Sequence, residues 1–316
     1  MANLGYIQVT RICNQHCLFC SNPENDRTLD LAEAEEQIDQ LKTAGYEGVI
    51  LTGGEPTMHP RLGEIVTRAH ESGLHVRLIT NGQLTADIEL LEKLQSRGLD
   101  HVHVSLHSAR AKVQAYLTSN PDSYPKIRKT FENIGKLGLT CDVNTVMCAQ
   151  NADHLDETVK TIIGEFPFVR HFVWNNIDPN MNRVEQNPHT VAKLADLELS
   201  LYRAVDILES GGRTYRIERL PLCYMADFAH ASTETRKIVK GEERSVHFLD
   251  EKGLVRQTDF FHAKPDKCSA CSFDSICAGL YDLGGKYYDP AELSPVFLDP
   301  QVVVRRILQG RSSQQT

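Results

Sequence analysis

Seven of the nine cysteines fall into two groups whose spacing suits metal binding. The run RICNQHCLFC places Cys13, Cys17 and Cys20 in a Cys-x3-Cys-x2-Cys array, a triple spacing that chance gives about once in 100 chains of this cysteine content. Three thiolates on one loop can hold three irons of a cubane cluster and leave the fourth iron without a protein ligand. An open metal position belongs to catalytic rather than structural sites. The competing reading is a zinc knuckle that pins the loop. Zinc normally takes four closed ligands, and the available fourth, His16, adjoins Cys17, which makes joint chelation awkward. The second group, Cys268, Cys271 and Cys277 in KCSACSFDSIC, becomes four with the solitary Cys223. Four thiolates complete either a zinc site or an iron-sulfur cluster. Cys141 and Cys148 remain. Cys141 reads as a small buried residue at the start of a strand, and Cys148, just after that strand, as packing or as a radical quencher or acid.

The elements that must position these residues show one recurring pattern from about residue 31 to 175: an amphipathic helix, a glycine, then a short apolar strand. IDQLKTAGYEGVILT, AHESGLHVRLIT, LQSRGLDHVHVSL and IGKLGLTCDVNTV are its instances. The strands are continuous apolar runs, as in a parallel sheet covered by helices, and the alternation implies right-handed crossovers. With 5–10 as the first strand and 171–174 as the sixth, the expected fold is α/β, a partial (β/α)6 TIM-like barrel with its chemistry outside the carboxyl ends of the strands. A helix around 189–209 ends at Gly211-Gly212, where the pattern breaks. Residues 1–212 are therefore expected to form the barrel, 213–308 a small α+β domain carrying the second cysteine group, and 309–316 a flexible tail.

Composition narrows the class. The 316 residues carry 34 basic and 42 acidic side chains, a net charge of −8, with 41% hydrophobic content. That excludes a disordered or collagen-like chain and argues against a broad nucleic-acid or anionic-membrane surface. No apolar run approaches the ~18 residues of a spanning helix, and MANLGYIQVTRIC lacks a signal-peptide layout. A cytoplasmic location is expected, where thiols stay reduced and clustered cysteines bind metal or catalyse.

Together these motifs carry a resemblance. The Cys-x3-Cys-x-aromatic-Cys loop, with Phe19 before Cys20, is similar to the signature of the radical S-adenosylmethionine (SAM) superfamily. One βα unit later stands Gly53-Gly54-Glu55-Pro56, which resembles the family's GGEP motif, whose backbone receives the SAM amino group. Thr80-Asn81-Gly82 closes the third strand, Ser105 ends the fourth, and Asn144 is a polar residue within an apolar run. The resemblance implies SAM contacts from Asn81, Ser105 and Asn144, with an ordinary turn or a structural hydrogen bond as the alternatives. Trp174 reads as core packing or as an adenine-pocket wall.

The C-terminal cysteines resemble those of the shortened auxiliary-cluster domain called twitch, and their Cys-x2-Cys-x5-Cys spacing recurs in the larger SPASM domain. SPASM carries a further cysteine where this chain has Tyr281, so one auxiliary 4Fe-4S cluster is implied, on Cys223, Cys268, Cys271 and Cys277. The implied chemistry is reductive cleavage of SAM at a 4Fe-4S cluster on Cys13, Cys17 and Cys20 to a 5′-deoxyadenosyl radical. The radical takes a hydrogen atom from a substrate for oxidative modification, with an electron donor such as flavodoxin or ferredoxin. Substrates of two kinds stand side by side, a peptide and a small metabolite, the latter in dehydrogenation or cofactor biosynthesis. Only twelve residues precede Cys13, so a peptide is expected to need a separate recognition protein or direct capture by the barrel. A glycyl-radical activating enzyme is disfavoured because the additional cysteines follow the barrel. Asp178, His107 and Tyr281 are substrate acid or base candidates by position alone, with a solvated surface place as the alternative for each. The alternative of another class is a non-catalytic zinc-binding scaffold.

Overall fold

The structure is a computed structural model that describes residues 3–22, 25–179, 183–281 and 286–309. Seven parallel strands follow one another across the sheet in chain order: β1 (Leu4–Thr10), β2 (Gly48–Gly53), β3 (His75–Thr80), β4 (Leu99–Ser105), β5 (Thr140–Met147), β6 (His171–Asn176) and β7 (Thr214–Glu218). Helices link them, among them Leu31–Thr43, Leu62–Glu71, Ser123–Leu137, Leu155–Glu165 and Leu194–Ser210. Asp30 caps the first of these, its side chain accepting from the Glu33 N–H. One face of the sheet, with Val49, Leu78, Val104, Val143, Phe172 and Ile217, packs in a single apolar cluster with helical residues such as Ile38, Ile65, Phe131 and Leu201. Alternate residues face the concave side, where Thr52, Ile79, Ser105, Asn144 and Asn175 line a pocket at the carboxyl ends of the strands. The expected α/β partial barrel is therefore present.

The strand count differs from the six expected. Gly211 and Gly212 do not break the pattern; they repeat it. Gly211 caps the helix Leu194–Ser210, Gly212 takes φ +60°, and Thr214–Glu218 pairs in parallel with β6 as a seventh strand. Nor does the segment after residue 213 build a sheet of its own. Its hairpin, β8 (Arg244–His247) with β9 (Leu254–Gln257), extends the barrel sheet beyond β1, β8 parallel to β1 and β9 antiparallel to β8. Phe273, Tyr288, Leu293 and Ile307 from the same segment join the barrel's own apolar cluster. Strands β7 and β8 lie on opposite flanks of the sheet, yet Glu218 and Arg244 form an ion pair at 2.9 Å, so the sheet curls until its two sides meet. Residues 310–316 of the expected tail lie outside the described residues.

The concave side toward the strands' amino ends is polar. Burial lowers His103 to about 3 and His171 to about 4, so both imidazoles are neutral at ordinary pH.

Candidate functional site

Cys13, Cys17 and Cys20 lie on the loop that leaves β1, and contacts from four directions fix its course. Arg11, buried, donates to Asn22 Oδ1 at 3.1 Å and pairs with Asp250 of the β8–β9 turn at 2.9 Å. Asn22 returns a hydrogen bond to the Arg11 carbonyl, and its own N–H points at Cys20 Sγ, 3.4 Å away. Gln15 donates to Ser123 Oγ at 3.2 Å and Leu18 N–H to the Leu117 carbonyl at 2.9 Å, which ties the loop to the two helices after β4. On the fourth side Asn81 donates to Asn14 Oδ1 at 2.7 Å and lies 3.8 Å from Cys13 Sγ.

Gly53, the last residue of β2, and Gly54 after it lie directly against this loop. A Cβ on Gly53, whose φ is +142°, would lie 2.2 Å from the Thr10 carbonyl oxygen, and one on Gly54 would lie 2.3 Å from that of Ile12. The glycines let the cysteine loop pass in backbone contact, sealed by Gly54 N–H to Thr10 O at 2.7 Å and Glu55 N–H to Ile12 O at 2.8 Å. Glu55 is buried on the same wall. Its carboxylate accepts from the Asn81 N–H at 2.7 Å, Thr80 Oγ1 at 2.8 Å, and both the N–H and hydroxyl of Thr57. Burial nevertheless raises its pKa. With those acceptors engaged, Glu55 clamps the ends of β2 and β3 together. Pro56 opens a short 3-10 turn behind the wall rather than on the pocket surface.

Thus the three cysteines, Gly53, Gly54, Glu55, Asn81, Ser105 and Asn144 meet around one pocket. The polar Asn144 finds its partner in Asn175, which donates to Asn144 Oδ1 at 2.7 Å. Trp174 points the other way, stacked against Phe172 in the core. His107 is buried in the pocket wall, not solvated. Its Nδ1 accepts from the Val146 N–H at 3.2 Å, its ring meets Phe19 edge-on at 4.7 Å, and burial lowers it to about 4. Asp178 also lines the pocket. Tyr281 stands off the pocket surface, with the Arg219 guanidinium 5.4 Å over its ring. Cys148 is fully buried beside Leu117 and Ile177 and does not reach the pocket, and burial pushes its thiol up. Cys141 is buried in the main core.

Asn175, Arg183 and Arg219 are among the lining residues that escaped the sequence reading. Asn175 had a signal available, as a polar residue at the end of a strand. Arg183 and Arg219, which bring positive charge to the wall, had none, although Arg219 turns sharply out of β7 with φ +62°. Burial pushes the Cys13 and Cys17 thiols up, so thiolates there require a positive partner.

Cys223, Cys268, Cys271 and Cys277 converge on a second, smaller cavity, although 45 residues separate the first from the second. Backbone N–H groups point at two of the sulfurs, Val296 to Cys271 at 3.2 Å and Gly279 to Cys277 at 3.4 Å. A single zinc ion at bonds of about 2.3 Å would draw its sulfurs to within roughly 4 Å of one another. Neither cysteine group gathers three sulfurs within 4.8 Å; among the described residues only His101, His103 and Asp142 reach that spacing.

Comparison with known proteins adds the lineage. The Radical SAM superfamily model matches residues 7–162. A "Probable GTP 3′,8-cyclase" of Sulfurisphaera tokodaii is 30% identical over 217 residues, 66% of this chain and 67% of its own length. A "PqqA peptide cyclase" of Ruegeria pomeroyi is 29% identical over 160 residues, 49% of this chain and 42% of its own length. The chain spans about half the length of curated relatives such as the latter. Among solved structures, anSMEcpe with bound AdoMet and the Kp18Cys peptide superposes with a TM-score of 0.65 at 14% identity, covering 98% of both chains, a likeness of fold. On the sequence matches and the shared fold, this chain belongs to the radical SAM superfamily.

Proposed function

We propose that the protein reductively cleaves SAM to a 5′-deoxyadenosyl radical and uses it to oxidise a peptide or a small metabolite, with one auxiliary iron-sulfur cluster. The observation that carries this reading is the meeting of the thiol trio with the Gly53-Gly54 backbone in a single pocket at the carboxyl ends of the strands. Cys13, Cys17 and Cys20 would hold a 4Fe-4S cluster, which when bound supplies an electron to SAM at its open iron.

The chain's own residues do the rest. Asn81 fixes the loop beside Cys13. The Glu55 clamp holds the Gly53-Gly54 backbone level with it, where SAM's amino group would be received. Ser105 and Asn144 present polar atoms one and two strands beyond β3, and the Asn144–Asn175 bond keeps that amide in place. Phe19, Ile79, Val146 and Ile177 supply apolar wall that keeps water from a reactive carbon. Cys223, Cys268, Cys271 and Cys277 would hold the auxiliary 4Fe-4S cluster, their full count leaving no iron open to substrate.

The names of the relatives, a peptide cyclase and a peptide-bound neighbour, support a peptide substrate; the GTP cyclase supports a small one. The electron would come from a flavodoxin- or ferredoxin-type donor. Among the described residues no helix is long and apolar enough to cross a membrane. The test is anaerobic reconstitution followed by dithionite and SAM without substrate. Brown protein with about eight irons and matching sulfide, releasing 5′-deoxyadenosine, is the expected result. Colourless protein holding two zincs at its cysteines would instead establish the scaffold.

A further inference from the structure

Two strands gather a different ligand set, apart from both cysteine groups. In the HVHVS run of β4, alternation sends His101, His103 and Ser105 to one face. Register sets His103 beside Asp142 of β5. Ser105 lines the cysteine pocket, whereas His103 and His101 stand two and four residues nearer the start of the strand, about 7 and 13 Å away at roughly 3.3 Å per residue.

One carboxylate oxygen, Asp142 Oδ2, lies 2.9 Å from His101 Nε2 and 3.3 Å from His103 Nδ1. One ligand atom from each residue falls within 4.8 Å of the other two. All three residues are at least nine-tenths buried, His101 at 9%, His103 at 8% and Asp142 at 5% exposure. His101 Nε2 has that carboxylate as its neighbour, while His103 Nε2, equally buried, has no hydrogen-bond partner. A buried nitrogen left without a bond is costly and calls for an explanation, such as an ion.

We propose that His101, His103 and Asp142 bind one divalent ion of the zinc class at the amino-terminal end of the barrel strands, bracing β4 to β5. Two imidazole nitrogens and one carboxylate oxygen are a donor set zinc accepts, with water completing the shell. Magnesium and calcium prefer all-oxygen shells, which this site lacks. The two rings are parallel within 5° at 4.5 Å between centroids, so one ion cannot lie in both ring planes. Binding therefore turns one ring about its Cβ–Cγ bond, a soft torsion. His171, next to Asp142 in register, is engaged through Nδ1 with Thr214 Oγ1 at 2.7 Å and is not one of the three gathered residues. The site is structural, and it stands whether or not the radical reading of the cysteine pocket holds.

The test is zinc analysis and zinc-edge X-ray absorption on the full-length holoprotein after reconstitution of its clusters and equilibration at micromolar free zinc. The expected result is one zinc per chain in addition to the iron, with a first shell of nitrogen and oxygen at about 2.0–2.1 Å. The thermal midpoint should rise by several degrees with zinc, and the rise should vanish in His103→Gln while iron and sulfide stay unchanged. No retained zinc, or sulfur scattering near 2.3 Å that puts the zinc on cysteines, would overturn the proposal. So would folded His103→Gln or Asp142→Asn protein that binds zinc as tightly as the wild type. The absorption edge of the wild-type protein decides the matter even if the variants do not fold.

Discussion

Gly54→Ala is the most informative single change, because the structure fixes both its size and its direction. The new methyl would sit 2.3 Å from the Ile12 carbonyl oxygen and 2.5 Å from that of Arg11, where ordinary contact begins near 3.4 Å. The obstacle is backbone, so the cysteine loop must retreat by about 1 Å. Two hydrogen bonds cross that seam, Gly54 N–H to Thr10 O and Glu55 N–H to Ile12 O, and both would stretch beyond useful length. At roughly 0.5–1.5 kcal/mol net for each, the loss is about 1–3 kcal/mol, a fall in thermal midpoint of several degrees. The larger effect is on chemistry. Cys13 follows Ile12 directly, and a displacement of about 1 Å in a reacting constellation typically costs about 100-fold. Anaerobically reconstituted Gly54→Ala protein should show depleted iron at the first site and 5′-deoxyadenosine formation reduced by about two orders of magnitude. Gly138→Ala is the control, with φ +67° and nothing within 4 Å of the added methyl. It should lose about 1–2 kcal/mol of stability and keep its iron and its product. Wild-type iron and wild-type 5′-deoxyadenosine in Gly54→Ala would refute the view that these glycines exist to seat the cysteine loop.

Other outcomes follow from the same geometry. Asp250→Ala strips the buried Arg11 guanidinium of its carboxylate; chemical denaturation should show a loss of about 1–3 kcal/mol, and iron retention at the first site should fall. Cys268→Ala should remove about four irons, leaving SAM cleavage by the first site intact in a substrate-free assay. Cys148→Ala should leave 5′-deoxyadenosine formation unchanged while lowering the thermal midpoint, since its sulfur packs among Leu117, Ile177 and Val184 rather than facing the pocket. His107, lowered to about 4, resists a proton that the unfolded chain accepts below about 6.5. Its contribution to stability is complete above pH 6.5 and is lost as pH falls toward 4. In His107→Gln the slope of stability against pH in that window should therefore shrink by up to about 1.4 kcal/mol per unit, as read by urea titrations at several pH values.

Much of the barrel was legible because each repeat carries a local signal, a glycine after an amphipathic helix and then a buried strand. The seventh strand carries it too, but Gly211-Gly212 looks like punctuation when read without the strand it feeds. The β8–β9 hairpin was legible as a hairpin and illegible as part of the barrel, because β8 pairs with a strand more than 230 residues earlier and no local pattern encodes that. The cysteine loop and the GGEP turn announce themselves by composition. What each residue does there was harder to see. Glu55 is legible as part of the GGEP motif, but not that its oxygens are claimed by Thr57, Thr80 and Asn81, a consequence of strand ends meeting in space. The convergence of Cys223 with the three later cysteines rested on count alone until the chain was folded. His101 and His103 had a readable signal, the alternation in HVHV that puts both on one face, but Asp142 arrives only through the register of β4 with β5.

The central claim is that one iron of a cluster on Cys13, Cys17 and Cys20 is open to SAM. Electron paramagnetic resonance of the dithionite-reduced protein, recorded with and without SAM, tests it most directly. The expected result is a SAM-dependent change in one of two cluster signals, persisting in Cys268→Ala and absent in Cys17→Ala. Spectra identical with and without SAM in fully reconstituted protein would contradict it.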